Sequence, residues 1–156
     1  MALSFRRNGD GSFSITIPQQ ERQLLEQLIP QMRELIQSHD PLAWRLFPNP
    51  YPDHDRAADQ YAEMIGDDLE ERHLEALETV EGTLDAKRLE ADQMTAWMSA
   101  VNDLRLVIGT RLKVEEETEI DDYQDDTEQS LFLTYSYLGI MLDRIVQAVA
   151  DSTGDD

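Results

Sequence analysis

Leu3 and Phe5, then Phe13, Ile15 and Ile17, alternate with polar residues, the period of a strand with one buried face. Between them Asn8-Gly9-Asp10-Gly11 supplies residues that accept positive φ, so residues 3–17 read as a β-hairpin. A calcium loop would need more residues and a terminal Glu. From Pro18 the period changes. Leu24, Leu25, Leu28, Met32, Leu35 and Ile36 recur at helical spacing. Pro18 suits a first helical turn, and Pro30 should kink the helix by removing one backbone bond. Asp40 is an N-cap for a short helix running from Pro41 to Phe47. Pro48, Pro50 and Pro52 then end it and hold an extended connection.

A long helix follows from about Asp55 to Val80, with Ala58, Tyr61, Ile65, Leu69, Ala76 and Val80 on one stripe and Gly82 as its stop. The next runs from about Glu90 to Leu112 on Met94, Trp97, Met98, Val101, Leu104, Ile108 and Leu112. The last runs from about Thr127 to Ala150. Its Leu131, Tyr135, Leu138, Leu142, Ile145 and Val149 form a heptad-like seam. Phe132, Leu133, Ile140, Met141 and Val146 widen it, so this helix should be central to the bundle or shared with a second subunit. The expected fold is all-α: a bundle of three long helices plus a short helix, with a small N-terminal β-hairpin. One domain spans residues 1–156, as hairpin 1–17, helices 18–112, acidic loop 113–127, C-terminal helix 128–150 and acidic tail 151–156. No internal repeat is present.

Composition narrows the function. The chain has 156 residues, 40% of them hydrophobic, enough for one real core rather than wholesale disorder. Its formal charge is −20, and from Glu115 to Glu128 there are nine acids and no base. Binding a duplex requires clustered Lys and Arg to displace counterions, so direct nucleic-acid binding is disfavoured. A basic protein surface is the natural partner of such a field. Cysteine is absent, which excludes disulfides, thiolate metal sites and a thiol switch within this chain. Residues 1–11 hold no signal-peptide core and no run approaches a membrane span, so the expected location is the cytoplasm, with no membrane contact.

Candidate chemistry centres on Arg105. On a helical wheel it falls between Met94 and Met98, inside an apolar stripe, where a cation needs an acid or an anion. Asp68 and Arg72 lie four residues apart at the edge of the preceding helix's stripe. The expectation is a buried ion pair of Arg105 with Asp68, completed by Arg72; the alternative is a pocket for a carboxylate or phosphate. Asn102, Gly109 and Gly139 are candidates for close helix packing, Asn102 by bonding a neighbouring backbone carbonyl. Gly66 poses the same question.

The other constellations are weak. Glu70 and His73 form a single Glu-x-x-His whose wheel position points to solvent, and di-metal bundles need two such pairs. Asp53-His54-Asp55 carries no further ligand. No nucleophile elbow, phosphate loop or dinucleotide fingerprint occurs. Trp44, Phe47, Tyr51, Trp97, Tyr135 and Tyr137 read as core. The expectation is therefore a non-enzyme with no cofactor and no metal.

Three segments carry a resemblance: Asp40-Pro41 through Arg45-Leu46-Phe47-Pro48 and Tyr51; Ala96-Trp97 through Asn102-Asp103-Leu104-Arg105-Leu106 and Gly109-Thr110-Arg111-Leu112; and Tyr135 through Tyr137-Leu138-Gly139 with Leu142. Their order and spacing resemble a family of small actinobacterial proteins, catalogued as a domain of unknown function and also named for an oxidative-stress regulator, AosR. The resemblance implies a non-enzymatic regulator of stress-responsive transcription, acting through protein contacts. Genes of that family often lie beside those for a ClpS-type protease adaptor and for sulfur metabolism. The thiol switch that the regulator's name implies cannot operate in a chain without cysteine. The implied partner is a protein of the transcription machinery; the apolar breadth of the last helix adds the expectation of a second copy of the chain, as a homodimer. An anion or small-ligand sensor centred on Arg105 is the alternative.

Overall fold

The computed structural model describes residues 2–46 and 56–151, the side chains of 44, 45 and 56–67 excepted. The expectations for Trp44, Phe47, Tyr51, Gly66, the Asp53–Asp55 triplet and the three clustered prolines lie outside these described residues.

The hairpin forms as expected. Strand β1 (Ser4–Arg7) pairs antiparallel with β2 (Phe13–Thr16), in the register Phe5 to Ile15. Gly11 takes φ +90°, and the Asp10 carboxylate accepts from the backbone N–H and the hydroxyl of Ser12. A third strand, β3 (Arg88–Leu89), joins the far side of β2, giving the order β1-β2-β3. Two residues carry no readable period, so this strand escaped the sequence pattern. Phe13, Ile15 and Leu89 are buried on the sheet's inner face, and Phe5 meets Trp97 edge-on at 6.0 Å.

Four long helices follow, one more than expected. They are α1 (Gln19–Gln37), α2 (Arg56–Gly82), α3 (Ala91–Leu112) and α4 (Asp126–Ala150). Pro18 stands at the N-cap of α1, which continues as helix through Pro30. Asp40 caps a 3-10 helix over Pro41–Leu46 through its bond from the Leu42 N–H, 2.9 Å. Glu90 and Gln93 close a capping box at the head of α3. Lys113 ends it in the left-handed region, its N–H bonded back to Gly109 and Thr110. The acidic loop is exposed but ordered: it makes a short 3-10 turn over Ile120–Asp122, and the Tyr123 hydroxyl donates to the Leu112 carbonyl at 3.0 Å. Asp125 then caps α4, with Asp126 and Glu128 in its first turn, where the helix dipole favours negative charge.

The central helix is α3, not α4. One face of α3 (Trp97, Val101, Leu104, Ile108) and a second (Ala100, Asp103, Val107) are both buried, because α2 and α4 pack on opposite sides of it. Each fully buried Leu, Ile or Met contributes roughly 1.5–3 kcal/mol. The expected seam of α4 is rotated: Leu138, Met141, Ile145 and Ala148 are buried, whereas Leu131, Tyr135, Leu142 and Val149 are only half-buried. Leu133, Ile140 and Val146 face solvent. Among the described residues, no helix is long and apolar enough to cross a membrane.

Candidate interaction site at the seam of α3 and α4

The seam is built around a glycine. A Cβ on Gly109 would stand 2.9 Å from Cε2 of Tyr135, so only glycine lets this ring lie against the α3 backbone. Phe132 flanks the ring at 6.2 Å and Tyr123 flanks Phe132 at 5.5 Å. Arg105, one turn before Gly109, crosses toward α4. Its Cζ lies 5.7 Å from the Tyr135 ring centroid, and its Cδ would meet a Cβ on Gly139 at 3.8 Å. Nη1 donates to the Tyr135 hydroxyl and Nη2 to Asn102 Oδ1, both at a long 3.4 Å. Among the described residues Nε is buried without a hydrogen-bond partner.

The expected Arg105–Asp68 pair does not form. Asp68 bonds Arg72 at 2.9 Å, one turn along α2, and both side chains are mostly exposed. A helical wheel orders residues within one helix; it does not fix how two helices are rotated against each other. Asn102 serves Arg105 rather than a backbone carbonyl. Gly109 has the predicted packing role. Gly139 sits under the Arg105 stem without a tight contact.

A buried polar pair does join α2 to α3, through other residues. His73 Nδ1 lies 2.6 Å from Asp103 Oδ2, and Nε2 lies 3.2 Å from the Leu46 carbonyl. Asp103 is 3% exposed. His73 thus points inward, correcting its expected solvent position, while Glu70 bonds His39 Nε2 at 3.0 Å instead. The Asp103 hydrogen bond raises the His73 pKa above its ordinary 6.5, against the opposing effect of burial. Burial raises the Asp103 pKa above its ordinary value, outweighing the His73 bond. The sequence held a signal for this pair. His73, Leu77 and Val80 step by four and three, and so do Ala100, Asp103 and Val107 by three and four, so each polar residue lies in an apolar row.

The outer surface of α4 continues the seam. Phe132, Gly139 and Val146 follow one another at seven-residue steps, and Tyr135, Leu142 and Val149 make the adjoining half-buried row. Leu133 and Ile140 lie further round the helix, beyond the row of Ser136 and Asp143. At the opposite margin of α3, Met32 and Leu35 of α1, Leu104 and Val107 of α3 and Leu131 of α4 border a mainly apolar groove of about 410 Å³, with Arg111 at its rim.

A family model described as a domain of unknown function, DUF2017, matches residues 2–149. The chain belongs to the DUF2017 family. The match takes in the hairpin, all four helices and the whole α3–α4 seam of this DUF2017 protein. No curated protein and no solved structure matches it.

Proposed function

We propose that this DUF2017 domain is a non-enzymatic regulatory protein that acts through protein contacts, with the outer surface of α4 and the Arg105–Tyr135 seam as its contact face. The observation that carries the reading is the exposure of Leu133, Ile140 and Val146, at 58%, 50% and 44%, along one helix of a strongly acidic domain. Exposed apolar side chains grouped beside half-buried ones mark an association surface. Arg and Tyr are the side chains that most often anchor such surfaces. The first partner is a second copy, since two-fold dimers are the commonest assemblies of a single chain. The wider setting is the one implied by the sequence resemblance, regulation of stress-responsive transcription in the cytoplasm, without a thiol switch in this chain.

Sedimentation at tens of micromolar tests this. The domain sediments as a dimer, and Leu133→Glu with Ile140→Glu makes it a monomer with an unchanged melting temperature. A monomeric parent chain refutes the homodimer.

A second reading, an anion sensor, draws support from one feature: Arg105 forms no ion pair among the described residues and buries its Nε unbonded. Sulfate or citrate then raises the melting temperature of the parent chain and not of Arg105→Met.

A further inference from the structure

Strand β1 is the outer strand of the sheet, so one of its edges faces away from β2. The Asn8 N–H donates to the Ser12 carbonyl at 2.8 Å. Alternation along an antiparallel ladder then makes Arg6–Ser14 and Ser4–Thr16 the doubly bonded pairs. The N–H and C=O groups of Phe5 and Arg7 consequently point outward, as does the Leu3 carbonyl. Arg144 of α4 identifies this edge independently, donating Nη1 to the Leu3 carbonyl at 2.9 Å. Beside the edge runs a groove of about 360 Å³, walled on its far side by Arg144, Gln147 and Asp151.

Charge in this groove runs against the rest of the molecule. Among the described residues Arg6, Arg7 and Arg144 line it with one acid, Asp151, in a chain of net charge −20. Arg7 is engaged, its Nη1 3.5 Å from the Val149 carbonyl and its Cζ 6.0 Å from the Phe13 ring centroid. Arg6 is exposed and makes no ion pair or hydrogen bond with its side chain among the described residues.

We infer that this groove takes an extended acidic peptide segment of a partner protein, which adds to β1 as a further strand. Outward backbone groups at Phe5 and Arg7 supply ladder bonds, the means by which exposed sheet edges capture peptides. Cross-strand pairing puts alternate side chains of the added segment on the face of Arg6, where acids pair favourably. A second copy of β1 is a poor occupant, because it would bring arginines against arginines. The acidic segment of this chain's own loop is not extended. The Thr118 N–H donates to the Glu115 carbonyl at 3.1 Å, and the Glu115 N–H to the Thr118 hydroxyl at 2.8 Å.

The test is fluorescence anisotropy on the full chain with a labelled, acetylated Glu-Val-Glu-Val-Glu-Val peptide. A second probe carries N-methyl groups on alternate backbone nitrogens, which removes ladder donors and keeps the charge. The parent chain binds the first probe, and binding protects the Phe5 and Arg7 amides from hydrogen exchange. Arg6→Glu weakens binding about tenfold without moving the melting temperature, because its side chain is exposed. The N-methylated probe fails to bind. Absence of binding overturns the inference. So does equal binding of both probes, or displacement by pyrophosphate at the same concentration, each of which reveals a plain anion site. Self-association abolished by Arg6→Glu, with no peptide binding, overturns it in favour of a second copy.

Discussion

His73 Nδ1 and Asp103 Oδ2 stand 2.6 Å apart between α2 and α3. Nε2 lies 3.2 Å from the Leu46 carbonyl, which can only accept, so this contact is a hydrogen bond when Nε2 carries a proton. The Nδ1–Oδ2 bond then needs a second one, on the imidazole or on the carboxyl. In either form the folded pair holds one more proton than a neutral histidine with a free carboxylate. Both pKa values are accordingly raised, that of His73 chiefly by its bond to Asp103 and that of Asp103 chiefly by burial. The sign follows. Just above 3.8 the raised Asp103 pKa leaves the folded chain holding more proton than the unfolded one, so stability from this carboxyl already falls as pH rises. Above 6.5 the unfolded histidine loses its proton first, and stability from the pair falls until the folded pair titrates. Asp103→Asn should cost ~1–3 kcal/mol at pH 6, the range for a compromised buried hydrogen bond. The gap between parent and variant should narrow toward pH 9. Urea unfolding of both proteins across this range checks it, and a gap that widens with pH rejects the assignment.

Gly109 and Gly139 stand on facing helices and should respond oppositely to alanine. Helix propensity alone favours alanine at both, by ~1 kcal/mol. At Gly139 the new methyl meets only the Arg105 stem at ordinary contact distance, so Gly139→Ala should stabilise. At Gly109 it would stand 2.9 Å from a ring carbon of Tyr135, which Phe132 flanks. The ring must move. Overpacking costs ~1–3 kcal/mol, more than propensity returns, so Gly109→Ala should destabilise. Thermal melting of the two variants decides it; a stabilised Gly109→Ala would show that the Tyr135 ring shifts freely.

Two polar contacts, one on α2 and one in the turn after it, separate surface from core. Asp68 and Arg72 are 61% and 70% exposed in the pair they form, and an exposed i,i+4 pair is worth ~0.3–0.5 kcal/mol. Asp68→Ala should therefore shift the urea midpoint hardly at all. Trp97 is fully buried, and its Nε1 donates to the Thr83 hydroxyl at 2.8 Å. Thr83→Val keeps the shape and leaves the indole N–H unpaired, which should cost ~1–3 kcal/mol. Equal effects of the two substitutions would contradict this ordering of the contacts.

Sequence periodicity located the hairpin and the four helical segments, because each writes a two- or 3.6-residue pattern over many residues, although the expected fold counted only three of the helices as long. It misjudged relations between helices. The α4 pattern is apolar nearly all round, yet Leu133 and Ile140 are exposed and α3 holds the centre. Apolar breadth states how much surface a helix would bury, not which neighbour covers it. The wheel likewise identified a buried ion pair between α2 and α3 as a need, then filled it with Arg105 and Asp68. The pair that joins α2 to α3 is instead His73 with Asp103, and Arg105 has no carboxylate partner among the described residues. The row His73–Leu77–Val80 points there, but Leu69 and Ala76 place the centre of the apolar stripe elsewhere. A two-residue strand such as β3 has no pattern to read.

Arg105 stands where the fold makes little use of it. Its two hydrogen bonds are 3.4 Å long, its Nε is buried unbonded, and no carboxylate among the described residues pairs with it. Structural arginines in cores satisfy their fork against acids; this one rests on the Tyr135 ring at 5.7 Å. Replacing a poorly satisfied charge by an apolar side chain of similar length is often neutral or stabilising. Arg105→Met should thus leave the urea midpoint unchanged or raise it. Asn102→Ala, which removes one weak acceptor, should do as little. The same Arg105→Met substitution should weaken the association read by sedimentation, since the seam would lose its one cation. A large loss of stability would instead make Arg105 a structural residue and remove it from the contact face.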